Sequence, residues 1–248
     1  MSKTVAKAVH VLESLAEAPR TIAELARELG GHSSSTLRMV QPLVDGGLIT
    51  RGPDGRYRLG LRLVELGQQV LDEMDLRVVA RPHLIALADA TCATVHLAQL
   101  VDDQIVYVDK IEGAATIRTW SRIGRAVPLH TAAVSKVILA ALPAPHRDRL
   151  LAAHTFTRFT ERTITDPATF REHLDSVARV GYATDQAEFE PLVHCTGVAI
   201  PDATGQLGAA ISLTTVRASV DQPTADNPLH RMREAANAIA TALGRPLR

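Results

Sequence analysis

The sequence predicts an α+β chain made of an N-terminal winged helix-turn-helix over residues 1–60, a linker helix over 61–75 and a larger C-terminal domain over 76–248. Three observations predict it. Residues 5–44 hold three short runs with apolar residues at helical spacing. A basic hairpin pattern follows at 48–59, and beyond residue 76 about six strand-like runs alternate with helical ones.

The first helix is expected over Val5–Ala16, with Val5, Ala8, Val9, Leu12, Leu15 and Ala16 on one stripe and Pro19 beyond its end. Thr21-Ile22-Ala23-Glu24 reads as a capping box: Thr21 accepts from a first-turn N–H, and Glu24 reaches back to the cap. Gly30-Gly31 closes that second helix. A third opens at Ser33, Ser34, Ser35 and Thr36, residue types favoured at helix starts, and is expected to bury Leu37, Val40 and Val44. Pro42 is a misfit in it, because an interior proline removes an N–H and crowds the carbonyl of Arg38. Leu48–Arg51 and Arg56–Leu59 then flank Gly52-Pro53-Asp54-Gly55, a turn in which Pro presets φ and Gly tolerates its positive value. Gly60–Met74 predicts one amphipathic connector with Leu63, Leu66, Val70 and Met74 on a stripe, suited to pairing with a second chain.

In the body, a helix over 76–90 leads into a hairpin, Thr94–Leu100 and Gln104–Lys110 around Asp102-Asp103. Thr116–Ser121 is a third strand candidate, with Trp120 near it. Helices are expected at 131–142, 145–153, 167–181 and 228–244, and strands at 181–184, 193–200 and 206–215. Asp166-Pro167 marks one helix start by an N-cap followed by proline at the first helical position. Hairpins dominate, so the sheet is expected to be mostly antiparallel.

Composition narrows the class. Hydrophobic residues make up 46% and charged residues 22%, a globular balance. No apolar run reaches membrane-spanning length, and the charged N-terminus has no signal-peptide pattern. With only Cys92 and Cys195 and no CxxC, a reducing cytoplasmic setting is expected, with no disulfide framework, metal or cofactor. The net charge of zero hides an asymmetry: residues 1–62 carry nine Lys and Arg against six Asp and Glu, whereas the remainder carries 18 against 21. A basic head on an acidic body suits nucleic-acid binding by the head.

In a helix-turn-helix the second helix of the motif enters the major groove with its N-terminal residues facing base edges. That assigns Ser33, Ser34, Ser35, Thr36 and Arg38 to double-stranded DNA, with Arg38 suited to a bidentate pair with guanine and the serines to phosphates at the helix N-terminus. Arg51, Arg56 and Arg58 on the wing are expected at phosphates or in the minor groove. A head that grips protein instead of DNA is the alternative, against which the basic wing counts.

The chain resembles the IclR family of transcription regulators over essentially its whole length. The resemblance rests on TVAKAVHVLESLAE, TIAELARELG, STLRMVQPLVDGGLITRGPDGRYRLGLRLVELG, IVYVDKIEG, RAVPLHTAAVSKVILA, TITD, GYATDQAEFE and the Cys195 segment ending in GAAISLTT. It implies a GAF-like effector domain, a homodimer or a dimer of dimers, and control of metabolic operons, often by repression. It also implies an effector site at Ala133, Val134, Asp185, Val193, Cys195, Ser212 and Thr214. The residues agree in part. Ala133 and Val134 fall in the first turn of a predicted helix, where free N–H groups suit a carboxylate. Val193/Cys195 and Ser212/Thr214 are i, i+2 pairs, each on one face of its strand. The family pattern is broken at Ser33, Ser135, Leu192 and Ala199. A small organic acid is the expected effector, an aromatic acid or amino acid the runner-up. Only three Tyr, four Phe and one Trp occur, which argues against a wide aromatic-lined cavity.

An enzyme is not expected. His194 and Cys195 are adjacent on a strand and point to opposite faces, so they cannot form a nucleophile pair, and no phosphate loop or HExxH occurs.

Overall fold

The computed structural model describes residues 3–114, 121–202, 208–216 and 228–244. The chain forms two compact units, Met1–Glu73 and Met74–Arg248.

The first unit contains α1 (Lys3–Glu17), α2 (Ile22–Glu28), α3 (Ser33–Asp45), the strands β1 (Ile49–Arg51) and β2 (Tyr57–Leu59), and α4 (Arg62–Asp72). The capping box forms as expected: Glu24 N–H donates to Thr21 Oγ1, and Thr21 N–H donates to Glu24 Oε2 at 2.7 Å. β1 and β2 pair antiparallel, and Tyr57 also exchanges main-chain hydrogen bonds with Arg20, which fastens the wing to the start of α2. Gly55, at φ +74, completes the turn between them. The core is Val11, Leu15, Leu25, Val40, Ile49 and Tyr57.

Two stripes differ from the expected phase. In α1 the inward positions are Val11, Ser14 and Leu15, while Val5 (62%) and Val9 (50%) face solvent. In α3, Thr36 and Val40 are buried and Met39, Leu43 and Val44 pack beside them, leaving Leu37 exposed. Both 36/39/40/43 and 37/40/44 satisfy helical spacing, and the first buries the longer apolar set. α3 runs through Pro42 without a break to Asp45. The carbonyl that Pro42 deprives of a donor belongs to exposed Arg38. α4 buries none of its side chains within this unit.

The second unit is a five-stranded antiparallel sheet in the order β4-β3-β7-β6-β5: β3 (Thr94–Val101), β4 (Gln104–Ile111), β5 (Ala183–Gln186), β6 (Val193–Ala199) and β7 (Ala209–Val216). About six strands were expected, and five are found among the described residues; 116–120 of the third candidate and most of the turn before β7 lie outside them, as does Trp120. The β3–β4 turn places Asp102 (φ +46) and Asp103 (φ +63) in the left-handed region, the geometry of a two-residue hairpin whose twist matches its strands. One sheet face packs against α5 (Asp75–Thr91) and the C-terminal helix α9 (Pro228–Ala242) through Leu84, Leu97, Ile211, Leu213, Met232 and Ile239. Asp109, 1% exposed, accepts two hydrogen bonds from Arg81 (2.7 and 2.8 Å) and so pins α5 to β4.

The opposite sheet face is covered by α6 (Ala133–Ala141), α7 (Ala144–Ala152) and α8 (Pro167–Val180) through Val137, Ile138, Leu139, Phe170 and Leu174. α8 starts as expected, with Asp166 accepting from Thr169 N–H at 2.7 Å, and stops at Gly181, φ +73. Gly197 lets α6 approach β6, since a Cβ there would lie 2.8 Å from the carbonyl carbon and oxygen of Ala133.

Candidate functional site

The outward face of α3 carries Ser33, Ser34, Leu37, Arg38 and Gln41. Arg38 has no hydrogen bond or ion pair with the described residues, so its guanidinium is available in full. Ser35 is exposed but its Oγ donates to the His32 carbonyl at 2.8 Å. Thr36 is a correction: at 4% exposure it belongs to the core of the unit and cannot reach a groove. Leu37 takes its place on the outside, where a methyl-bearing side chain suits contact with a thymine methyl.

The wing arginines divide. Arg51 is exposed, with its guanidinium 5.9 Å from the centre of the Tyr57 ring. Arg56 donates to the Pro19 carbonyl (3.0 Å) and to Glu24 (3.1 Å), so it holds the wing to α2. Arg58 forms a two-pronged pair with Asp54 at 3.0 and 2.6 Å, which holds that carboxyl well below the ordinary range. Both are at least partly neutralised inside the protein, which their expected placement at phosphates did not anticipate. Sequence reads a charge, not the partner that folding supplies.

In the second unit, a cavity of about 980 Å³ opens between the sheet and α6, α7 and their flanking loops. All seven residues assigned by resemblance line it: Ala133, Val134, Asp185, Val193, Cys195, Ser212 and Thr214. Strand register explains how. Asp185, Cys195 and Thr214 are direct cross-strand partners in one row over β5, β6 and β7. Gly197, Ser212 and His96 form the next row, with β3 completing it. Directly paired residues share a sheet face, so these side chains converge on the wall that α6 meets.

α6 presents its N-terminus to this wall. Its N-cap, Ala132, has no side-chain hydrogen bond to offer, so the first N–H groups, at Ala133 and Val134, lack a protein cap. Ser212, 4% exposed, makes no side-chain hydrogen bond with the described residues. Thr214 Oγ1 lies 3.2 Å from Cys195 Sγ and 3.3 Å from His96 Nδ1, and His96 Nε2 lies 2.7 Å from Ser121 Oγ. Asp185 Oδ1 accepts from Glu188 N–H at 2.8 Å.

Near pH 7 the wall carries neutral His96 and Cys195 beside a half-ionised Asp185. Burial, with a smaller contribution from Lys110, pulls His96 down to about 3, so its imidazole is uncharged. Burial, reinforced by Asp185, pushes the Cys195 thiol up to about 12, which makes it a weak hydrogen bonder and not a nucleophile. Burial pushes Asp185 up to about 7, with Glu188 and Glu190 adding to the rise, while the Glu188 N–H and Lys136 oppose it. Burial raises the Tyr107 phenol as well.

Sequence reasoning missed His96, Tyr107, Ser121, Arg125, His154 and Glu190, all of which line the cavity. For His96 a signal existed: Thr94, His96 and Ala98 alternate with Val95 and Leu97, so a histidine stands on the face opposite an apolar one. Three aromatic rings also border the space, Tyr107, Phe159 and Phe189, and the last two pack 4.8 Å apart. Folding gathers at one site three of only seven Tyr and Phe residues. Among the described residues no cluster of His, Cys, Asp or Glu could hold a metal, and no helix is long and apolar enough to cross a membrane.

A winged helix-turn-helix with a free arginine on its recognition helix, joined in one chain to a unit with a ligand-sized cavity, defines a one-component transcription regulator. Comparison with known proteins gives the family. Residues 4–53 match the IclR helix-turn-helix domain, and residues 68–241 match the C-terminal domain of bacterial IclR transcriptional regulators. The HTH-type transcriptional regulator XynR of Escherichia coli is 32% identical over 247 residues, 98% of each chain. The DNA-binding transcriptional repressor YiaJ of the same organism is 30% identical over 253 residues, covering 98% of this chain and 88% of that one. A crystal structure of an IclR homologue from Microbacterium hydrocarbonoxydans, complexed with 4-hydroxybenzoate, superposes with a TM-score of 0.81 at 27% identity, over 97% of this chain and 99% of the other. The chain belongs to the IclR family of DNA-binding transcription regulators.

Proposed function

We propose that the protein is a homodimeric repressor whose operator binding is set by a small organic acid held in the cavity of the second unit. The observation that carries this reading is the meeting of uncapped N–H groups at Ala133 and Val134 with the Ser212 hydroxyl, which has no partner among the described residues, inside a ligand-sized cavity. A helix N-terminus favours an anion by its free donors and its dipole. Val193, Cys195 and Thr214 shape the subsite, and Asp185, about half-protonated near pH 7 and neutral below it, can take up a proton to accommodate a carboxylate beside it. The ligand named in the Microbacterium structure is itself an acid, which supports the class.

On the DNA side the reading assigns base contacts to Arg38 and phosphate contacts to Ser33, Ser34 and Arg51, with Ser35 held to the His32 carbonyl and Arg56 and Arg58 shaping the wing. The name of YiaJ supports repression. Homodimerisation is supported by apolar side chains left exposed on α1 (Val5, Val9) and α4 (Val64, Val70), and a dimer of dimers would extend it. Residues 1–60 then form the reading head and 76–248 the sensor. The connector at 61–75 passes the preference of the bound state to the heads as a population shift.

The test is a gel shift on the DNA upstream of the protein's own gene, with wild type beside Arg38→Ala, repeated with a panel of carboxylic acids. A specific complex that Arg38→Ala loses and one acid dissolves supports the proposal. A wild-type complex indifferent to sequence at low salt contradicts it.

A further inference from the structure

We propose that His154 is a second effector contact, a neutral imidazole that offers Nδ1 as a hydrogen-bond acceptor to a hydroxyl or amino group on the acid held at α6. The proposal rests on the acid reading above and adds the chemistry of the acid's other end.

The argument begins at a carbonyl, which can only accept. His130 Nε2 lies 2.9 Å from the Thr157 carbonyl oxygen, so Nε2 carries the hydrogen and donates. A neutral imidazole has one N–H, which leaves His130 Nδ1 as an acceptor. His154 Nε2 lies 2.8 Å from that atom and therefore donates to it. His154 Nδ1 is then a bare lone pair. One carbonyl has fixed the tautomers of two rings.

Both rings stay neutral at physiological pH. His130 is 1% exposed, set among Phe156, Phe159 and Phe170, and burial holds both histidines below the ordinary range. Turning either ring over would break the His130–His154 hydrogen bond. His154 lines the cavity, and its Nδ1 has no hydrogen-bond partner among the described residues. Neighbouring Asp103 and Arg149 on the same wall are committed to each other at 3.1 Å.

The relay is also tied to the acid subsite. His130 stands two residues before Ala132, the N-cap of α6, so one short backbone stretch carries the anion donors and anchors the acceptor. A ligand with an acid at one end and a donor at the other meets both. That describes a hydroxy acid, phenolic or aliphatic, or an amino acid.

The experiment uses purified full-length protein and matched acids: benzoate with its 2-, 3- and 4-hydroxy forms, and butanoate with its 3-hydroxy, 4-hydroxy and 4-amino forms. Calorimetry should show one substituted acid binding wild type about tenfold tighter than its parent, the size of one well-made hydrogen bond. In His154→Phe that preference should vanish while the parent acid keeps its affinity. A preference that survives in His154→Phe, or none in any pair, overturns the proposal and leaves the acid reading standing. Binding by no member of either set overturns both. Independently of folding in the variant, nitrogen-15 spectra of the wild-type imidazoles should show His154 Nδ1 unprotonated at neutral pH; a proton there overturns the proposal.

Discussion

Nζ of Lys136 and Oε1 of Glu188 stand 2.6 Å apart, with Lys136 wholly buried in α6 and Glu188 in the segment after β5. Lys136 also donates to the Thr184 carbonyl at 2.8 Å, and the Glu188 N–H donates to Asp185. Two of the elements that shape the cavity, α6 and the end of β5, are thus held to one another by a buried charge pair. Removing one partner of such a pair leaves an unpaired buried charge and costs about 3–5 kcal/mol. Lys136→Met should therefore lower the denaturant midpoint sharply. Lys136→Met combined with Glu188→Leu should recover most of the loss, because no charge is left stranded. Chemical denaturation of the three proteins checks this, and equal loss in single and double variants would count against it.

Asp185 gives a pH dependence of defined sign. Burial raises its folded value to about 7, above the 3.8 of an unperturbed aspartate, so between those values the folded state binds more protons than the unfolded state. Stability from this group is therefore full below about pH 4, falls as pH rises toward 7, and is level above that. Asp185→Asn should flatten that decline and be relatively more stable at pH 8, as followed by thermal melts across pH. An anion bound beside Asp185 should take up a proton, so acid affinity should weaken as pH rises past 7.

Ser212 and Thr214 lie on one face of β7 and line the cavity. Changing both to valine should remove the hydroxyls; Thr214→Val keeps the side-chain volume, whereas Ser212→Val adds one methyl group at the cavity wall. The double variant should bind operator DNA as wild type does and lose most of its response to the acid. Parallel loss of DNA binding would mean that the hydroxyls serve folding alone.

On the wing, Arg58→Ala and Arg51→Ala should behave differently. Arg51 is exposed and unengaged by carboxylates, so its removal should lower the salt dependence of DNA binding by about one counterion. Arg58 is paired to Asp54, so its removal should change that slope less. Fluorescence anisotropy over a salt series separates them.

Much of this fold was legible because its signals are local. The Thr21/Glu24 box, the Asp166-Pro167 start and the Asp102-Asp103 turn each depend on neighbours in sequence, and each stands where the pattern puts it. The phase of α3 was not legible, because Thr36 and Leu37 fit the same periodicity and only packing against Val11, Leu25 and Ile49 decides between them. Within the cavity, motif resemblance located residues on α6, β5, β6 and β7. It left out His96 and His154, whose roles come from pairings across strands and between loops. His130 and Thr157 fix the tautomer of His154 from 24 residues or fewer along the chain, a relation that no spacing rule encodes.

The most direct test of the whole account is an anisotropy titration of the protein's upstream DNA with wild type and with Ser212→Val/Thr214→Val, each over a concentration series of the best-binding acid. The account predicts that the acid weakens DNA binding by wild type and leaves the variant's unchanged, with equal DNA affinity for both proteins when no acid is present. An identical acid response in the two proteins would contradict it, because the effector would then act from somewhere other than this cavity.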